Sequence, residues 1–270
     1  YMNVPVVYPP VYAIDEASCK FLDCAKCVDV CPTNAIDLEQ KPEQVTLNVG
    51  SIVVATGFKE FDCSAIKEYH YDEYPDVITH LELARMIDGF GPTGGTIIRP
   101  SDGKPAKKIV FIQCVGSRDR RYNPWCSSIC CMISLKHASL IKTADPDAEI
   151  SICYIDIRTT GREHEYYYEQ ARDMGIKFIK GRPTEITKDE ETDKLIVDVE
   201  DALLKKFLDL ESDLVVLAPA MVPAEGTKEL AEILGLELEA DGFFKEYNAK
   251  LRPTETKLKG VYLCGGTTFP

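Results

Sequence analysis

The sequence contains no long apolar run, and no signal-peptide pattern is visible in it. A membrane-spanning helix needs about 18 or more consecutive apolar residues, and no such stretch occurs in the chain. The first residues also lack the basic start, apolar segment and small-residue cleavage site of a signal peptide. We therefore predict a cytoplasmic protein without a transmembrane segment. Because the chain starts at Tyr1 and ends at Pro270 inside an apparent motif, we also expect it to be part of a longer protein.

Positive charge is scarce as well. The chain has 31 Lys and Arg against 44 Asp and Glu, a net charge of -13. Nucleic-acid binding draws most of its affinity from Lys and Arg on phosphates, so no nucleic-acid partner is expected. The sequence lacks a Ser-His-Asp order, an H-E-x-x-H motif and a P-loop. Its four histidines have no metal-ligand spacing, and surface or helix-face positions are expected for them, at His70, His80, His137 and His164.

Cysteine, by contrast, is abundant. The chain has 11 cysteines among 270 residues, and eight of them lie in the segments 19–31 and 114–131. A disulfide framework is typical of small secreted domains with dispersed, paired cysteines. The odd number and the bunching therefore favour metal binding in a reducing compartment.

The remaining pattern predicts an α/β fold. Strands are predicted at 107–117, 149–157 and 176–186, with helices at 127–144 and 162–175 between them. Strands that alternate with helices in this way are typical of a parallel sheet with right-handed crossovers. A short apolar run that ends at Gly57 predicts a further strand, buried on both faces. We place one domain boundary near residue 105.

The first cysteine segment, Cys19-x4-Cys24-x2-Cys27-x3-Cys31-Pro32, contains the C-x2-C-x3-C-P half of a bacterial ferredoxin motif. Such a tight loop presents thiolates to a [4Fe-4S] cube. A structural zinc site is the alternative, since zinc also accepts four thiolates from short loops. A second question stays open at Cys31, which either completes this cube or binds a cluster whose other ligands lie outside the chain.

The second segment holds Cys114 at the predicted end of a strand and Cys126, Cys130 and Cys131 at the start of a helix. Cys126 and Cys130 are four residues apart, so they would share one helix face. The positive end of the helix dipole would favour an anionic thiolate cluster there. We predict a metal centre at these four residues; the alternative is that they are free cysteines packed as small apolar groups.

These motifs resemble a known family. "PTGGTIIRPSDGK", "IQCVGSRD", "WCSSICCMISLKHA", "YIDIRTTG", "VVLAPAMVP" and "GFFKEYNAKLRPTET" are similar to the flavin-containing A subunit of heterodisulfide reductase. Its relatives include flavoprotein subunits of quinone-interacting oxidoreductases and of the benzoyl-CoA reductase complex. The likeness extends from about residue 10 to residue 270 and is most specific in the cysteine-rich and Arg-Pro-Ser-Asp motifs.

The resemblance implies a partial thioredoxin-reductase-like body with two dinucleotide-binding-type domains, an inserted ferredoxin-like module, FAD and two or more [4Fe-4S] clusters. One cluster maps onto Cys114, Cys126, Cys130 and Cys131, and Lys136 matches a lysine that approaches the flavin, where a cation tunes the cofactor. The implied domains are a ferredoxin-like module at 1–42, part of an FAD domain at 43–105, an NAD(P)-domain-like region with the cysteine motif at 106–220, and a return to the FAD domain at 221–270.

The chain departs from a complete flavoprotein pattern, because the G-x-G-x-x-G turn that binds the FAD pyrophosphate is absent. Only part of a flavin site is therefore expected, at the turns formed by Ala55, Thr56 and Gly57 and by Gly265, Gly266 and Thr267. Residues 106–220 also lack a nucleotide fingerprint, so direct hydride exchange with NAD(P)H is not expected.

The function implied is that of a flavin and iron-sulfur electron-transfer component in an oligomeric redox complex with other iron-sulfur, hydrogenase or reductase subunits. Electron bifurcation is a further role that the resemblance suggests, although spacing cannot reveal potentials. Two alternatives stay open: a flavin-free iron-sulfur adaptor between subunits, and a zinc-stabilised interaction module.

Overall fold

The computed structural model describes residues 14–15, 17–41 and 44–270. The described residues form two compact units, one that ends at Gly50 and one that runs from Ser51 to Pro270. Residues 1–13, 16 and 42 of the predicted ferredoxin-like module lie outside the described part. The four-domain division stays a prediction.

The smaller unit consists of tight turns around one short helix, α1 (Lys26–Asp29), which follows a 3-10 turn at Phe21–Asp23. Three residues that are not glycine adopt left-handed backbone angles here, Phe21, Ala25 and Asn34. Such angles reverse the chain within a few residues. The chain around these cysteines therefore forms a tight loop with several reversals, which is compatible with the ferredoxin-type spacing.

The larger unit contains twelve strands and four helices within residues 51–270. The strands are β1 (Ile52–Val54), β2 (Phe58–Glu60), β3 (Val77–Thr79), β4 (Lys108–Val115), β5 (Glu149–Tyr154), β6 (Lys177–Lys180), β7 (Glu185–Lys188), β8 (Leu195–Asp201), β9 (Lys206–Ser212), β10 (Leu214–Pro219), β11 (Met221–Pro223) and β12 (Val261–Leu263). The helices are α2 (His80–Ile87), α3 (Cys130–Ala144), α4 (His164–Asp173) and α5 (Thr227–Leu234).

A parallel sheet of five strands in the order β3-β10-β4-β5-β6 forms the centre of this unit. Alternate residues of β4 point to opposite faces: Ile109 and Phe111 pack with the helix residues Leu83 and Leu135. Val110 and Ile112 pack instead with the antiparallel sheet β7-β8-β9. Both faces are thus covered, which explains why β4 and β10 are apolar without alternation. The predicted α/β class is confirmed.

The central sheet also crosses the predicted boundary at residue 105. β3 lies before that boundary, yet it pairs with β10 in the same sheet as β4. The α2 helix that follows β3 packs on this sheet through Leu83 and Met86.

A second, smaller parallel pair joins β1 to β12, with Val54 opposite Leu263. The prediction that β1 is buried on both faces is wrong, since Ile52 is 38% and Val53 62% exposed. The strand pairs only with β12 among the described strands, and only Val54 and Leu263 reach the small core that includes Phe244 and Ala231 of α5. Sequence alone shows that a run is apolar, and does not show which neighbours cover it.

Candidate functional site

Several elements bring the second cysteine group together. Cys114 is the penultimate residue of β4, Cys126 lies in the loop that precedes α3, and Cys130 and Cys131 are the first two residues of α3. The Cys130 thiol donates to the carbonyl of Pro219 at the end of β10, with 3.5 Å between Sγ and O. The Cys131 thiol donates to a carbonyl beyond β5, that of Asp156, at 3.6 Å. The group therefore lies at the carboxyl edge of the parallel sheet, where ligands bind in open α/β folds.

The backbone around the site is bent sharply. Cys114 adopts a left-handed conformation with φ of 61°, and Ser128 one with φ of 59°. Such angles are uncommon for residues other than glycine and are often retained at functional sites. Here they turn the chain out of β4 and into α3.

The expectation that Cys126 and Cys130 share one helix face is wrong, because α3 begins at Cys130. Ser128 interrupts the helical backbone, and the Ser127 hydroxyl instead accepts a hydrogen bond from the Met221 amide at 2.8 Å. Cys126 thus approaches the site from a loop, while Cys130 and Cys131 approach it from the positive end of the helix.

Burial and mutual repulsion both act against ionisation of these thiols. Burial raises the pKa of Cys130 to about 12, and negative charge on Cys114, Cys131 and Cys126 acts in the same direction. Burial, followed by the charge of Cys131, raises the pKa of Cys114 to about 11. Four such thiolates can coexist only around a cation, which replaces the protons on binding.

The donor set fits an iron-sulfur cube. Within residues 14–15, 17–41 and 44–270, no three His, Cys, Asp or Glu side chains are grouped so that they could hold a metal ion. In a cube each thiolate binds a different iron, so its ligands lie farther apart than those of one ion. All four thiols nevertheless lie within reach of one another's charge.

The first cysteine group belongs to the smaller unit. The Sγ atom of Cys31 accepts a hydrogen bond from the Ala35 amide at 3.4 Å, and that of Cys19 accepts one from the Phe21 amide at 3.3 Å. The Thr33 hydroxyl, together with the Ala35 amide, lowers the pKa of Cys31 to about 7. Donors that stabilise a thiolate prepare it as a metal ligand. The other two cysteines of this group, Cys24 and Cys27, are exposed.

The two turns expected to approach a flavin are adjacent. They follow β1 and β12, whose parallel pairing places both at the same end of the pair. The hydroxyl oxygens of Thr56 and Thr267 are 2.6 Å apart. Gly266 packs so closely on Phe58 that a Cβ would come within 2.9 Å of the ring atom Cδ1. The turns of Ala55, Thr56 and Gly57 and of Gly265, Gly266 and Thr267 thus form one surface.

A cavity of about 770 Å³ lies between α2, α3 and β2, the strand that follows the Gly57 turn. Lys136 and His137 line it from α3, His80 lines it from α2, and Phe58 and Glu60 line it from β2. Most of its wall is apolar, and a few polar groups interrupt it, as is usual for cofactor and ligand sites. Lys136 and the strand that follows the Gly57 turn therefore meet at one cavity.

Two histidines belong to this cavity, and neither shows a sequence pattern that indicates it. His80 and His137 are buried, with ring centroids 5.8 Å apart, and Nε2 of His80 lies 2.7 Å from the Ser134 hydroxyl. Burial lowers the pKa of His80 to about 3 and that of His137 to about 4. Nδ1 of His137 is buried without a hydrogen-bond partner among the described residues. In the sequence, His137 is marked only by its position next to Lys136 on a predicted helix.

Several known proteins are similar to the chain in sequence over its whole length. The chain is 49% identical over 272 residues to the iron-sulfur A subunit of the CoB–CoM heterodisulfide reductase of Methanocaldococcus jannaschii. It is 50% identical over 276 residues to an iron-sulfur A subunit of the same reductase from Methanopyrus kandleri. This chain belongs to the heterodisulfide reductase A-subunit family. The match covers all of the chain but 41% of each of these two relatives, so the chain spans about two fifths of their length.

A third relative in this heterodisulfide reductase family comes from Methanococcus maripaludis. It is the A subunit of the H2/formate:CoB-CoM heterodisulfide,ferredoxin reductase. The identity is 47% over 272 residues, which are 100% of the chain and 41% of the relative. No model of a protein family matches the chain.

Two thioredoxin reductases are among the solved structures similar to this heterodisulfide reductase family member. That of T. acidophilum aligns with a TM-score of 0.48 at 13% identity, over 81% of this chain and 57% of the other. That of Lactococcus lactis aligns with a TM-score of 0.49 at 14% identity, with the same coverage.

A helix that crosses a bilayer needs about 20 mostly apolar residues. No helix in the described ranges is long and apolar enough to cross a membrane.

Proposed function

We propose that this chain is part of a flavin and iron-sulfur electron-transfer component of a multi-subunit oxidoreductase. One observation supports this most strongly: α3 carries Cys130 and Cys131 in its first turn and Lys136 at the cavity wall. Lys136 follows Cys131 by five residues, roughly 7.5 Å along a helix axis. A cluster and a flavin bound at these positions would be close neighbours.

The residues around the cavity and the two cysteine groups would have separate tasks. Bound FAD would exchange electron pairs and bound clusters single electrons. Lys136 would place a positive charge beside the ring, with Phe58 on the apolar wall. The turns at 55–57 and 265–267 would supply close backbone approach, because Gly57 and Gly265 have no Cβ and have open space beside them. Two cysteine sets would each hold one [4Fe-4S] cluster: Cys114, Cys126, Cys130 and Cys131, and Cys19, Cys24, Cys27 and Cys31.

We also propose partners and a cellular location for this chain. The names of the relatives describe reductases of a heterodisulfide, in one case together with hydrogen or formate and with ferredoxin. By this analogy we propose that the chain works in an oligomeric complex with hydrogenase or other iron-sulfur subunits, with electron bifurcation between two acceptors as its role. All eleven cysteines are free in the structure, and a reducing compartment such as the cytoplasm suits them.

The substitution Cys130→Ala tests the second cluster. We expect it to remove about four irons per chain, because a cube needs its thiolate ligands, while the ferredoxin-type cluster remains. Cys153→Ala is the matched control, since Cys153 is also buried but lies in the core of β5. Iron and sulfide counts on anaerobically purified protein give the readout. An unchanged iron content in the Cys130 variant would overturn the assignment.

A further inference from the structure

Arg118 occupies a constrained position beside the second cysteine group. Its backbone adopts a left-handed φ of 54°, and its amide donates to the Trp125 carbonyl at 2.8 Å. This bond fixes the loop that leads from β4 to Cys126. The Arg118 side chain is only 23% exposed and forms an ion pair with Asp156, with 2.8 Å between Nη1 and Oδ2. The guanidinium therefore has one defined location.

The ion pair abuts the cysteine group directly. The main-chain carbonyl of Asp156 accepts the hydrogen bond from Cys131, so the residue that holds the guanidinium also contacts a thiol. The positive charge of Arg118 acts to lower the pKa of both Cys114 and Cys131, against the larger effect of burial. The Arg118–Asp156 pair thus lies beside Cys131, on the side of the loop that leads to Cys126.

We propose that the Arg118–Asp156 pair sets the reduction potential of the cluster held by Cys114, Cys126, Cys130 and Cys131. This inference rests on the proposed function. Reduction adds one electron to a centre that already carries four thiolates. A partly buried cation beside it stabilises the reduced form more than the oxidised form, and Asp156 offsets part of that charge. Arg118 should therefore raise the potential, and Asp156 should limit the rise.

Other cations near the site are less well placed for this role. Arg158 lowers the pKa of Cys131 more than Arg118 does, but its side chain is exposed, so solvent screens its charge. Arg182 acts on Cys114 less than Arg118 does and is paired with Asp119 at 3.1 Å. Arg118 combines a partly buried side chain with proximity to both Cys114 and Cys131.

The test is a redox titration of the cluster, followed by electron paramagnetic resonance, on the wild-type protein and four variants. At the wild-type midpoint, Arg118→Gln should raise the ratio of oxidised to reduced cluster by about tenfold, which is a fall of about 59 mV for one electron. Arg118→Lys should retain most of the wild-type ratio. Asp156→Asn should shift the ratio in the opposite direction by a smaller factor, because Asp156 is 51% exposed. The control is Arg121→Gln, in the same loop but 66% exposed, and should leave the ratio unchanged.

Each outcome decides the proposal. An unchanged ratio in Arg118→Gln, or shifts of the same sign in Arg118→Gln and Asp156→Asn, would overturn it, since a general disturbance has no charge sign. If Arg118→Gln loses its iron, the Asp156→Asn shift alone decides. A wild-type protein without a cluster would instead refute the proposed function, so the two failures are distinguishable.

Discussion

Lys136 is the residue whose charge the flavin proposal depends on most. It is exposed and lines, from α3, a cavity with a mostly apolar wall; a flavin bound there would exclude water, so its charge would then be only weakly screened. A cation beside a flavin stabilises its reduced, anionic form. The predicted role can be tested through the potential of the flavin without measuring turnover.

We predict that Lys136→Gln lowers the flavin midpoint potential, whereas Lys136→Arg keeps it near that of the wild type. The measurement is a spectroelectrochemical titration of the flavin absorbance, with flavin content checked first. Equal potentials in all three proteins would show that Lys136 does not face the ring.

His137 gives a prediction about pH. Its pKa in the folded protein, about 4, lies below the ordinary value of 6.5 because of burial and then the neighbouring Lys136 charge. Between these values the unfolded chain binds more protons, so stability falls as the pH drops below about 6.5. Removing this one histidine should cancel about 1 kcal/mol of the stability lost between pH 7.5 and 5.5.

The variant for this test is His137→Gln, and the measurement is thermal unfolding at about pH 7.5 and about pH 5.5, on either side of the ordinary histidine pKa. The fall in Tm between the two should be smaller in the variant than in the wild type. His80 is the second buried histidine with a lowered pKa, so part of the pH dependence should remain. An identical fall in both proteins would contradict the buried, neutral state of His137.

Among single residues, the sequence predicts the eight clustered cysteines as metal ligands. The structure brings together the second four, Cys114, Cys126, Cys130 and Cys131. It did not predict the roles of His80, His137 or Arg118. Their positions depend on partners far away in the chain, such as Ser134 for His80 and Asp156 for Arg118. A lone polar residue carries no local pattern that distinguishes burial from exposure.

Among the elements, α2 positions one wall of the cavity. Thr79 caps its N-terminus in a capping box: the Thr79 hydroxyl accepts from the Glu82 amide at 3.4 Å, and the Glu82 carboxylate accepts from the Thr79 amide at 2.7 Å. Such a cap satisfies amides that the helix leaves free. The cap therefore holds His80 and Leu81, which line the cavity.

Replacing the cap should loosen this helix. We predict that Thr79→Ala lowers the free energy of unfolding by about 1 kcal/mol, and that Thr79→Ser restores most of it because the hydroxyl is retained. Urea denaturation followed by circular dichroism measures both. A loss of equal size in the serine variant would assign the effect to the methyl group and not to the cap.

The regular elements were predicted well where local pattern decides them. β4, β5, α3 and α4 lie within the predicted ranges because apolar spacing and turn residues mark them. The start of α3 and the exposure of β1 were not predicted. The first depends on a hydrogen bond from Met221 to Ser127, and the second on which strands are available to cover Val53.

At the scale of the whole molecule, the second cysteine group, the cavity and the glycine turns all belong to the compact unit of residues 51–270. The cysteine site lies at the carboxyl edge of the central sheet, and α3 connects it to the cavity wall at Lys136. This continuity is the structural basis of the proposal that a cluster and a flavin work together here. The ferredoxin-type loop belongs to the other unit, so its cluster should persist independently.

The most direct measurement is an anaerobic count of iron, sulfide, zinc and flavin in the purified full-length protein that contains this chain, with an electron paramagnetic resonance spectrum after reduction. We predict iron and sulfide in equal amounts and in multiples of about four per chain, together with flavin and a cluster signal. Stoichiometric zinc without iron, or iron without flavin, would contradict the account.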